Sequence, residues 1–377
     1  MIVHLDKSRC RKGGILSEVI TPNSDSKVTN PRKSRATRNI LKMIVDAGNG
    51  RIKCHALGYT SCVDSIVCTV AEASSWGLMG AFEWNDQNYI VGHDAPNAKT
   101  RTIISRTENG KIKFFPHMVL GAITSHPYIL DSVIGKGKKR KLVADIQCLS
   151  IARGESLYSN LQKASQFSVN GMIYEIEWRS FISYPEGFGA ALSAHKIIKE
   201  KNPKAERFYT LDIGNGTITL TPYECLGKKP IAGTPFIGSG GGVSSIVRFF
   251  GMAAMYGDDG ESVASLDYIR TALQRAEVLT TEDGQKRYST FAAISRRDIG
   301  DCLYKALMDW RDKHVSAQTI LQAVDDVLLG GHYVFCCGGG FEVAPVADFI
   351  QQQMTSERLI VLPTPGTISL TGLEDHQ

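Results

Sequence analysis

Two short segments combine an aspartate with closely spaced glycines, a combination suited to binding a phosphate and its metal ion. The first runs Asp-Ala-Gly-Asn-Gly from Asp46 to Gly50, and the second runs Asp-Ile-Gly-Asn-Gly from Asp212 to Gly216. An Asn-Gly pair between strand-like flanks favours a tight hairpin, because both residues tolerate a positive φ. Glycines in such a turn let a phosphate approach the backbone N–H groups. A carboxylate beside the turn can hold a water in the shell of Mg²⁺, which prefers oxygen ligands.

The two segments are copies of one longer unit. Val45–Lys53 and Leu211–Thr219 share Asp, Gly, Asn, Gly and Ile in register, and Asp46 and Asp212 lie 166 positions apart, which is about one domain length. Either copy alone is typical of an ordinary hairpin, but the duplication favours a shared role in binding. The repeat therefore predicts two lobes that each open with the same hairpin, and facing hairpins would hold a polyphosphate from both sides.

The elements around these segments indicate an α/β fold. Apolar residues at helical spacing predict four helices, of which the second follows a glycine-rich run. The predicted helices are Gly189–Lys201, Val243–Phe250, Ala264–Leu279 and Ile299–Trp310. Apolar runs rich in β-branched or aromatic residues predict strands. The predicted strands are one beginning at Met43, Phe208–Ile213, Tyr333–Cys337 and Leu359–Leu362.

The composition is that of a globular protein with room for two domains. The 377 residues are 43% hydrophobic and 21% charged, with no apolar stretch long enough to span a bilayer and no signal-peptide pattern. Nine scattered cysteines without a C-x-x-C pair predict buried thiols in a reducing compartment, so a cytoplasmic location is expected. The sequence contains no P-loop motif, and Gly238–Val243 fits G-x-G-x-x-G only without its last glycine.

The net charge of +5 is concentrated in an N-terminal arm. Residues 1–42 carry ten Lys and Arg against three acidic residues, so the remaining chain sums to −2. The arm has no sustained apolar period and is predicted to be disordered or loosely attached. It could tether DNA, RNA or anionic lipid, or be a solvated tail or an over-long translation start. The basic run Lys136–Lys141 is either a solvated loop or a contact for another subunit, nucleic acid or membrane.

Three motifs together resemble the nucleotide-binding motifs of the actin-like ATPase superfamily, which includes actin, the DnaK-type chaperones and the sugar kinases. The two Asp-Gly segments resemble its phosphate motifs, and Val334–Phe341 resembles its adenosine motif, an apolar strand leading into Gly338, Gly339 and Gly340. The resemblance is greatest to the ParM-type bacterial and archaeal actin-like proteins. It is carried by the D-x-G-x-x-x-x-K pattern of Asp46–Lys53, by Tyr89–Ala95, by Tyr184–Ala190 and by Leu370–Leu373.

The resemblance implies a two-lobed fold of duplicated ribonuclease-H-like domains with the nucleotide in the interlobe cleft. Residues 43–190 would form the first lobe, completed by 354–377, and residues 191–353 the second. ATP or GTP would bind with Mg²⁺, which Asp46 and Asp212 would hold through water, and Glu186 would position the attacking water. The implied nucleotide contacts are Gly48, Asn49, Gly50, Lys53, Gly214, Asn215, Gly216, Thr217, Gly338, Gly339 and Gly340. Asn49 and Gly50 stand where the first phosphate motif of this superfamily often has residues with a hydroxyl side chain.

The function implied by this resemblance is ATP hydrolysis coupled to polymerisation. The chain would assemble with copies of itself into dynamic filaments, either for plasmid or other DNA segregation through a DNA-binding adaptor protein or for cytoskeletal scaffolding. Two alternatives stay open at this point. One is a non-polymerising phosphotransferase of the sugar-kinase type, and the other is a degenerate ATPase that the basic arm tethers to nucleic acid.

Overall fold

The computed structural model describes residues 18–20, 40–70, 78–92, 95, 101–104, 107, 109–133, 135, 137–150, 154–225, 227–255, 265–292 and 296–375. Within them, two β-sheets of different size are each covered by helices. No helix in these ranges is long and apolar enough to cross a membrane. The two sheets have separate hydrophobic cores, as the duplication in the sequence predicts.

The first sheet has eleven strands in the order β4-β3-β2-β9-β11-β10-β6-β7-β5-β8, and β1 pairs with β11. Its strands are β1 Glu18–Ile20, β2 Ile40–Ala47, β3 Arg51–Ala56, β4 Tyr59–Asp64, β5 Ile66–Val70, β6 Ala81–Trp84, β7 Gln87–Val91, β8 Arg101–Ile103, β9 Lys139–Leu149, β10 Gln166–Val169 and β11 Met172–Tyr184. The helices within this stretch are α1 Gly110–Lys113, α2 Phe115–Ser125, α3 Ile129–Ser132 and α4 Gly154–Leu161. Nearly every residue of α2 is buried, so this helix is the centre of the first core.

The second sheet has six strands in the order β14-β13-β12-β18-β19, and β15 pairs with β13. Its strands are β12 Arg207–Ile213, β13 Thr217–Glu224, β14 Ile231–Ala232, β15 Phe236–Ser239, β18 Tyr333–Cys337 and β19 Leu359–Val361, while β16 Glu277–Thr280 and β17 Lys286–Ser289 form a separate hairpin. The remaining helices are α5 Phe188–Lys201, α6 Val243–Met255, α7 Leu266–Gln274, α8 Gly300–Lys313, α9 Val315–Leu329, α10 Ala344–Gln353 and α11 Ile368–Glu374.

The duplicated unit occupies the same topological position in both sheets. Strands β2 and β3 form an antiparallel hairpin with Asp46 opposite Lys53, and β12 and β13 form another with Asp212 opposite Thr219. The first strand of each hairpin also pairs in parallel with a strand much later in the chain, β9 for β2 and β18 for β12. Both aspartates are therefore the last residue but one of a central strand of their sheet.

Helices α5 and α11 cross closely where the two halves of the molecule join. A Cβ on Gly189 would lie 1.7 Å from the Ser369 carbonyl oxygen, and one on Gly372 would lie 2.0 Å from the Gly189 carbonyl oxygen. Only glycine permits this separation, since real Cβ atoms do not approach so closely. Leu192 and Leu370 from these helices pack against Ile44 of the first sheet. The crossing thus ties the C-terminal helix to the first sheet.

Most predicted elements are confirmed within a few residues, and three differ. The predicted helix Ala264–Leu279 is wrong in its last part, because α7 ends at Gln274 and Val278 and Leu279 pair with β17 as strand residues. The first strand begins at Ile40, inside the predicted arm, and Glu18–Ile20 also forms a strand. The segment 354–377 is divided, since β19 belongs to the second sheet and α11 packs towards the first. The rest of the arm lies outside the described residues.

Candidate functional site

The loops of the two hairpins, Gly48–Gly50 and Gly214–Gly216, lie against each other. A Cβ on Gly50 would lie 2.6 Å from Cβ of Asn215, and a Cβ on Gly216 would lie 3.5 Å from Nδ2 of Asn49. Each asparagine therefore packs on the last glycine of the opposite loop, in a reciprocal arrangement that follows from the duplication. The prediction of facing hairpins agrees with this geometry.

The glycines of the first loop are required by close approaches rather than by backbone torsion. None of the six loop residues has a positive φ, so the positive-φ Asn-Gly turn expected from the sequence is wrong. A Cβ on Gly48 would lie 2.6 Å from the Arg51 carbonyl oxygen, and one on Gly50 would meet the Asn215 side chain. In the first loop, backbone and opposing side chain thus leave no room for a side chain at Gly48 or Gly50, whereas a Cβ on Gly214 or Gly216 would make ordinary contacts at 3.5 Å.

The first loop is held by Ser65, a residue that the sequence analysis missed. Its Oγ donates to the Gly48 carbonyl at 2.6 Å, and its backbone N–H donates to the Gly50 carbonyl at 3.0 Å. Ser65 lies between β4 and β5, and its side chain is buried. No spacing rule links a serine to a glycine loop fifteen residues earlier, so only the folded arrangement of the strands identifies it.

The second loop is held by the glycine-rich run before α6 and by the first residues of α6. The N–H groups of Gly240, Val243 and Ser244 donate to the carbonyls of the second loop at 2.8–3.0 Å. A Cβ on Gly242 would lie 2.4 Å from the Gly214 carbonyl oxygen, so this glycine permits the contact. The run predicted as a helix entry therefore also supports the second loop. Arg270 of α7 adds a hydrogen bond of 2.8 Å from Nη1 to Asn215 Oδ1.

Asp46 and Lys53 form an ion pair beside the first loop. Lys53 Nζ donates to Asp46 Oδ2 at 3.1 Å, and the side chains are 15% and 12% exposed. Burial alone would lower the pKa of the Lys53 ammonium, but the carboxylates of Asp46 and Asp212 raise its pKa overall. The other oxygen, Asp46 Oδ1, is buried and has no hydrogen-bond partner among the described residues. It is therefore an unsatisfied acceptor that faces the site.

Asp212 lies one residue before the end of β12, as Asp46 lies one residue before the end of β2. Burial raises the pKa of Asp212 to about 7, and the carboxylates of Glu186 and Asp46 contribute to the increase. Cys337, its neighbour across the parallel pair of β12 and β18, donates a thiol hydrogen bond to it. Lys53 favours its ionised form as well. The two aspartates of the repeat thus act on one another and share the field of one lysine.

Glu186 lies in the short link between β11 and α5, where the chain passes beside Asp212. The next residue, Gly187, has a φ of 79°, and a Cβ there would lie 3.7 Å from Asp212 Oδ2. Glu186 Oε1 is 3.7 Å from Nζ of Lys111, a second lysine that the sequence analysis did not single out. Burial raises the pKa of Glu186, and the Lys111 ammonium opposes that increase.

The third glycine motif reaches the same place. Gly338 has a φ of 92°, and a Cβ on it would lie 2.2 Å from Asp212 Oδ1. Gly340 packs on Ile213, with a hypothetical Cβ 2.4 Å from its Cγ2. Gly339 differs, because a Cβ on it would meet no described atom within 4 Å. Gly338 and Gly340 are therefore packing positions, whereas Gly339 faces open space.

Two motif segments extend beyond what the structure describes. β7 ends at Val91, and the Gly92 N–H donates to the Ile66 carbonyl at 3.0 Å, but His93 and Asp94 of the predicted turn lie outside the described residues. Lys136 of the basic run lies outside them too. In that run Lys139 and Lys141 pair with Glu175 and Glu177 on the neighbouring strand at 3.5 and 3.0 Å.

The site therefore gathers three carboxylates and two ammonium groups around two touching backbone loops. With every group ionised, Asp46, Asp212, Glu186, Lys53 and Lys111 carry a net charge of −1. Oxygen ligands of this kind suit Mg²⁺, and buried ammonium groups suit phosphate oxygens. In the described part of the chain no three His, Cys, Asp or Glu side chains form a ready-made metal cluster.

No protein-family model and no curated protein sequence matches the chain. Solved structures do match it. A ParM from Clostridium botulinum, determined as a 15-stranded filament, has a TM-score of 0.65 at 15% identity over 89% of this chain and 99% of that chain. An archaeal actin homologue, Ta0583, has a TM-score of 0.60 at 13% identity over 89% and 98%. Bacillus thuringiensis ParM with ATP has a TM-score of 0.55 at 12% identity over 90% and 100%. The chain thus has the two-lobed α/β fold of the ParM-type and archaeal actin-like proteins.

Proposed function

We propose that the chain binds a magnesium–nucleoside triphosphate at the two hairpin loops and hydrolyses it. The observation that carries this proposal is the convergence of Asp46, Asp212 and Glu186 with two buried ammonium groups at the meeting point of duplicated loops. Such a set of groups has no evident use in holding the fold, because three carboxylates in one partly buried site repel one another. A polyphosphate with its metal ion supplies charges of both signs there.

The residues present fit this ligand. Asp46 Oδ1, buried without a partner among the described residues, is an acceptor suited to a metal-bound water, and Asp212 lies at the equivalent place in the other hairpin. Lys53 and the loop N–H groups would hold phosphate oxygens, and Gly339 leaves space for a nucleoside beside β18. Bound Mg²⁺ would supply charge stabilisation to the phosphate oxygens. ATP is the first choice of nucleotide, with GTP as the competitor to test.

Glu186 is the proposed water-positioning group. Its side chain is 29% exposed, so a water can reach the carboxylate, while burial raises its pKa towards that of a usable base. Hydrolysis of a phosphoanhydride depends mainly on positioning and charge stabilisation. Glu186 would therefore orient the attacking water and accept its proton, whereas Asp46 and Asp212 would hold the metal through its waters.

We propose further that triphosphate binding promotes self-association into filaments, which hydrolysis weakens. The similarity to a ParM determined as a filament supports this proposal. Head-to-tail contacts that do not close produce open filaments. Such filaments would serve DNA segregation through an adaptor protein, or cytoskeletal scaffolding, in the cytoplasm. Direct contact of the basic arm with nucleic acid or membrane belongs to the same set of proposals.

The experiment is sedimentation and light scattering of the purified protein with Mg-ATP, Mg-GTP, Mg-ADP or no nucleotide. Glu186→Ala is the hydrolysis-impaired variant. We expect pelleting that depends on a triphosphate, ends when the triphosphate is consumed and persists in the variant. Hydrolysis without assembly at every protein and salt concentration would contradict the filament proposal. It would favour a non-polymerising phosphotransferase on the same fold.

A further inference from the structure

The ammonium group of Lys111 is buried within the candidate site. Its side chain is 11% exposed, and Nζ lies 3.7 Å from Glu186 Oε1, which is an ion-pair distance but longer than a hydrogen bond. No described residue accepts a hydrogen bond from this atom. A buried ammonium without hydrogen-bond acceptors is costly, because its lost hydration is not replaced. The group is therefore suited to an acceptor that comes from outside the chain.

The scaffold fixes Lys111 rather than leaving it as a mobile surface lysine. It lies in the single turn α1, where the Gly110 N–H donates to the Thr107 carbonyl at 2.9 Å. A Cβ on Gly110 would lie 2.1 Å from the Ile104 carbonyl oxygen, so the turn packs tightly on the preceding chain. Asn160 Nδ2 of α4 donates to the Ile112 carbonyl at 3.2 Å. Contacts on both sides of Lys111 thus hold its backbone in place.

The two lysines of the site have different partners. Lys53 is paired with Asp46, a proposed holder of the metal's waters, at 3.1 Å. Lys111 instead faces Glu186, the proposed water-positioning group. Because the attacking water must reach the terminal phosphorus, a cation next to Glu186 lies on the side of the terminal phosphate. A diphosphate lacks that group, so it leaves Lys111 without its acceptor.

We propose that Lys111 Nζ binds the terminal phosphate and makes the site prefer a nucleoside triphosphate to a diphosphate. This inference rests on the proposed nucleotide-binding function and adds to it the group that distinguishes the two ligands. A charge-assisted hydrogen bond from an ammonium to a phosphate oxygen is among the stronger single polar contacts in proteins. Loss of this contact should weaken triphosphate binding and leave diphosphate binding almost unchanged.

The test is the affinity of Mg-AMPPNP and Mg-ADP, measured by calorimetry at protein concentrations below assembly. Lys111→Met should weaken AMPPNP binding roughly 10- to 100-fold and ADP binding less than about threefold. Lys111→Arg should recover most of the loss, because it keeps the charge. Lys113→Met is the matched control: Lys113 is in the same turn but exposed, with its ammonium 5.4 Å from the centre of the Phe114 ring, and its removal should change neither affinity.

Lys111→Met leaves the Glu186 carboxylate without its cation. Both titrations are therefore repeated with Lys111→Met in a Glu186→Gln background, where the substitution leaves no buried charge unpaired. The same selective loss of AMPPNP binding is expected there. Equal loss for both nucleotides, or no loss for AMPPNP, would overturn the assignment of Lys111 while leaving nucleotide binding by the wild type intact. A wild-type protein that binds neither nucleotide would overturn the proposed function itself.

Discussion

The three glycines after β18 should respond differently to the same substitution. Gly338 combines a φ of 92° and ψ of 161° with a hypothetical Cβ 2.2 Å from Asp212 Oδ1, and Gly340 would place a Cβ 2.4 Å from Ile213 Cγ2. A Cβ on Gly339 meets nothing described within 4 Å. Replacing each by alanine therefore adds one methyl group within one short turn, at two crowded positions, Gly338 and Gly340, and at one open position, Gly339.

The expected magnitudes follow from these distances. At Gly338 the backbone is in a region that costs a non-glycine residue about 1–3 kcal/mol, and the overlap with Asp212 adds about 1–3 kcal/mol. At Gly340 only the overlap term applies. At Gly339 alanine avoids both costs and restricts the unfolded chain, which changes stability by less than about 1 kcal/mol in the favourable direction. If Gly339 faces the nucleoside, its variant should nevertheless lose nucleotide affinity.

The assay compares thermal unfolding of the three nucleotide-free variants with wild type in one buffer. For a lobe of this size, about 3 kcal/mol corresponds to a decrease of roughly 6–12 °C for Gly338→Ala, with a smaller decrease for Gly340→Ala and none for Gly339→Ala. ATP binding is then measured for Gly339→Ala, where we expect weaker binding without loss of stability. Equal unfolding temperatures for Gly338→Ala and Gly339→Ala would refute the packing argument.

Three further predictions use other parts of the chain. Glu186→Gln should slow phosphate release by roughly 100-fold or more while ATP affinity, measured by calorimetry, changes less than about threefold; an equal loss of affinity would show a binding role instead. Burial lowers the pKa of His117 from 6.5 to about 4. As the pH falls from 6.5 to 4, His117 is therefore protonated in the unfolded chain but still neutral in the folded one, which favours unfolding. Wild type should therefore lose up to about 3 kcal/mol as pH falls from 6.5 to 4, and His117→Phe should lose measurably less in urea unfolding, whereas parallel pH profiles would contradict the reasoning. Gly372→Ala should destabilise the protein by about 1–3 kcal/mol in the same assay, because its Cβ would overlap the Gly189 carbonyl at the crossing of α5 and α11, and an unchanged midpoint would mean that the helices separate freely.

The positions of the hairpins could be predicted from the sequence because the repeat is local and in register. Asp46 and Asp212 could be placed near the ends of their strands because each follows an apolar run and precedes the Gly-Asn-Gly segment. The conformation of the loops could not be predicted, because Gly48 is explained by a close backbone contact within its own hairpin and Gly50 by a contact with the other copy. A side chain at position 50 would overlap Asn215, and no property of either loop taken alone shows this.

Two residues of the site were missed for a similar reason. Ser65 and Lys111 have no special neighbours in the sequence, and they gain their meaning only from contacts with Gly48 and Glu186. The arrangement of the elements decides such contacts. β4, which ends before Ser65, pairs with β3, and Lys111 in α1 is separated in the sequence from Glu186, which follows β11, by many residues. Sequence reasoning therefore named most of the groups proposed to meet the ligand, and the structure was needed to add Lys111 and to find Ser65, which holds the first loop.

The central claim is that the two hairpin loops bind a magnesium–nucleoside triphosphate. Its most direct test is calorimetric titration of the purified chain with AMPPNP in the presence and absence of Mg²⁺, together with Asp46→Asn and Asp212→Asn. We predict one nucleotide per chain, binding that requires Mg²⁺, and a loss of roughly tenfold or more in each variant. No binding at about 1 mM nucleotide, or binding that neither Mg²⁺ nor the aspartates affect, would contradict the claim.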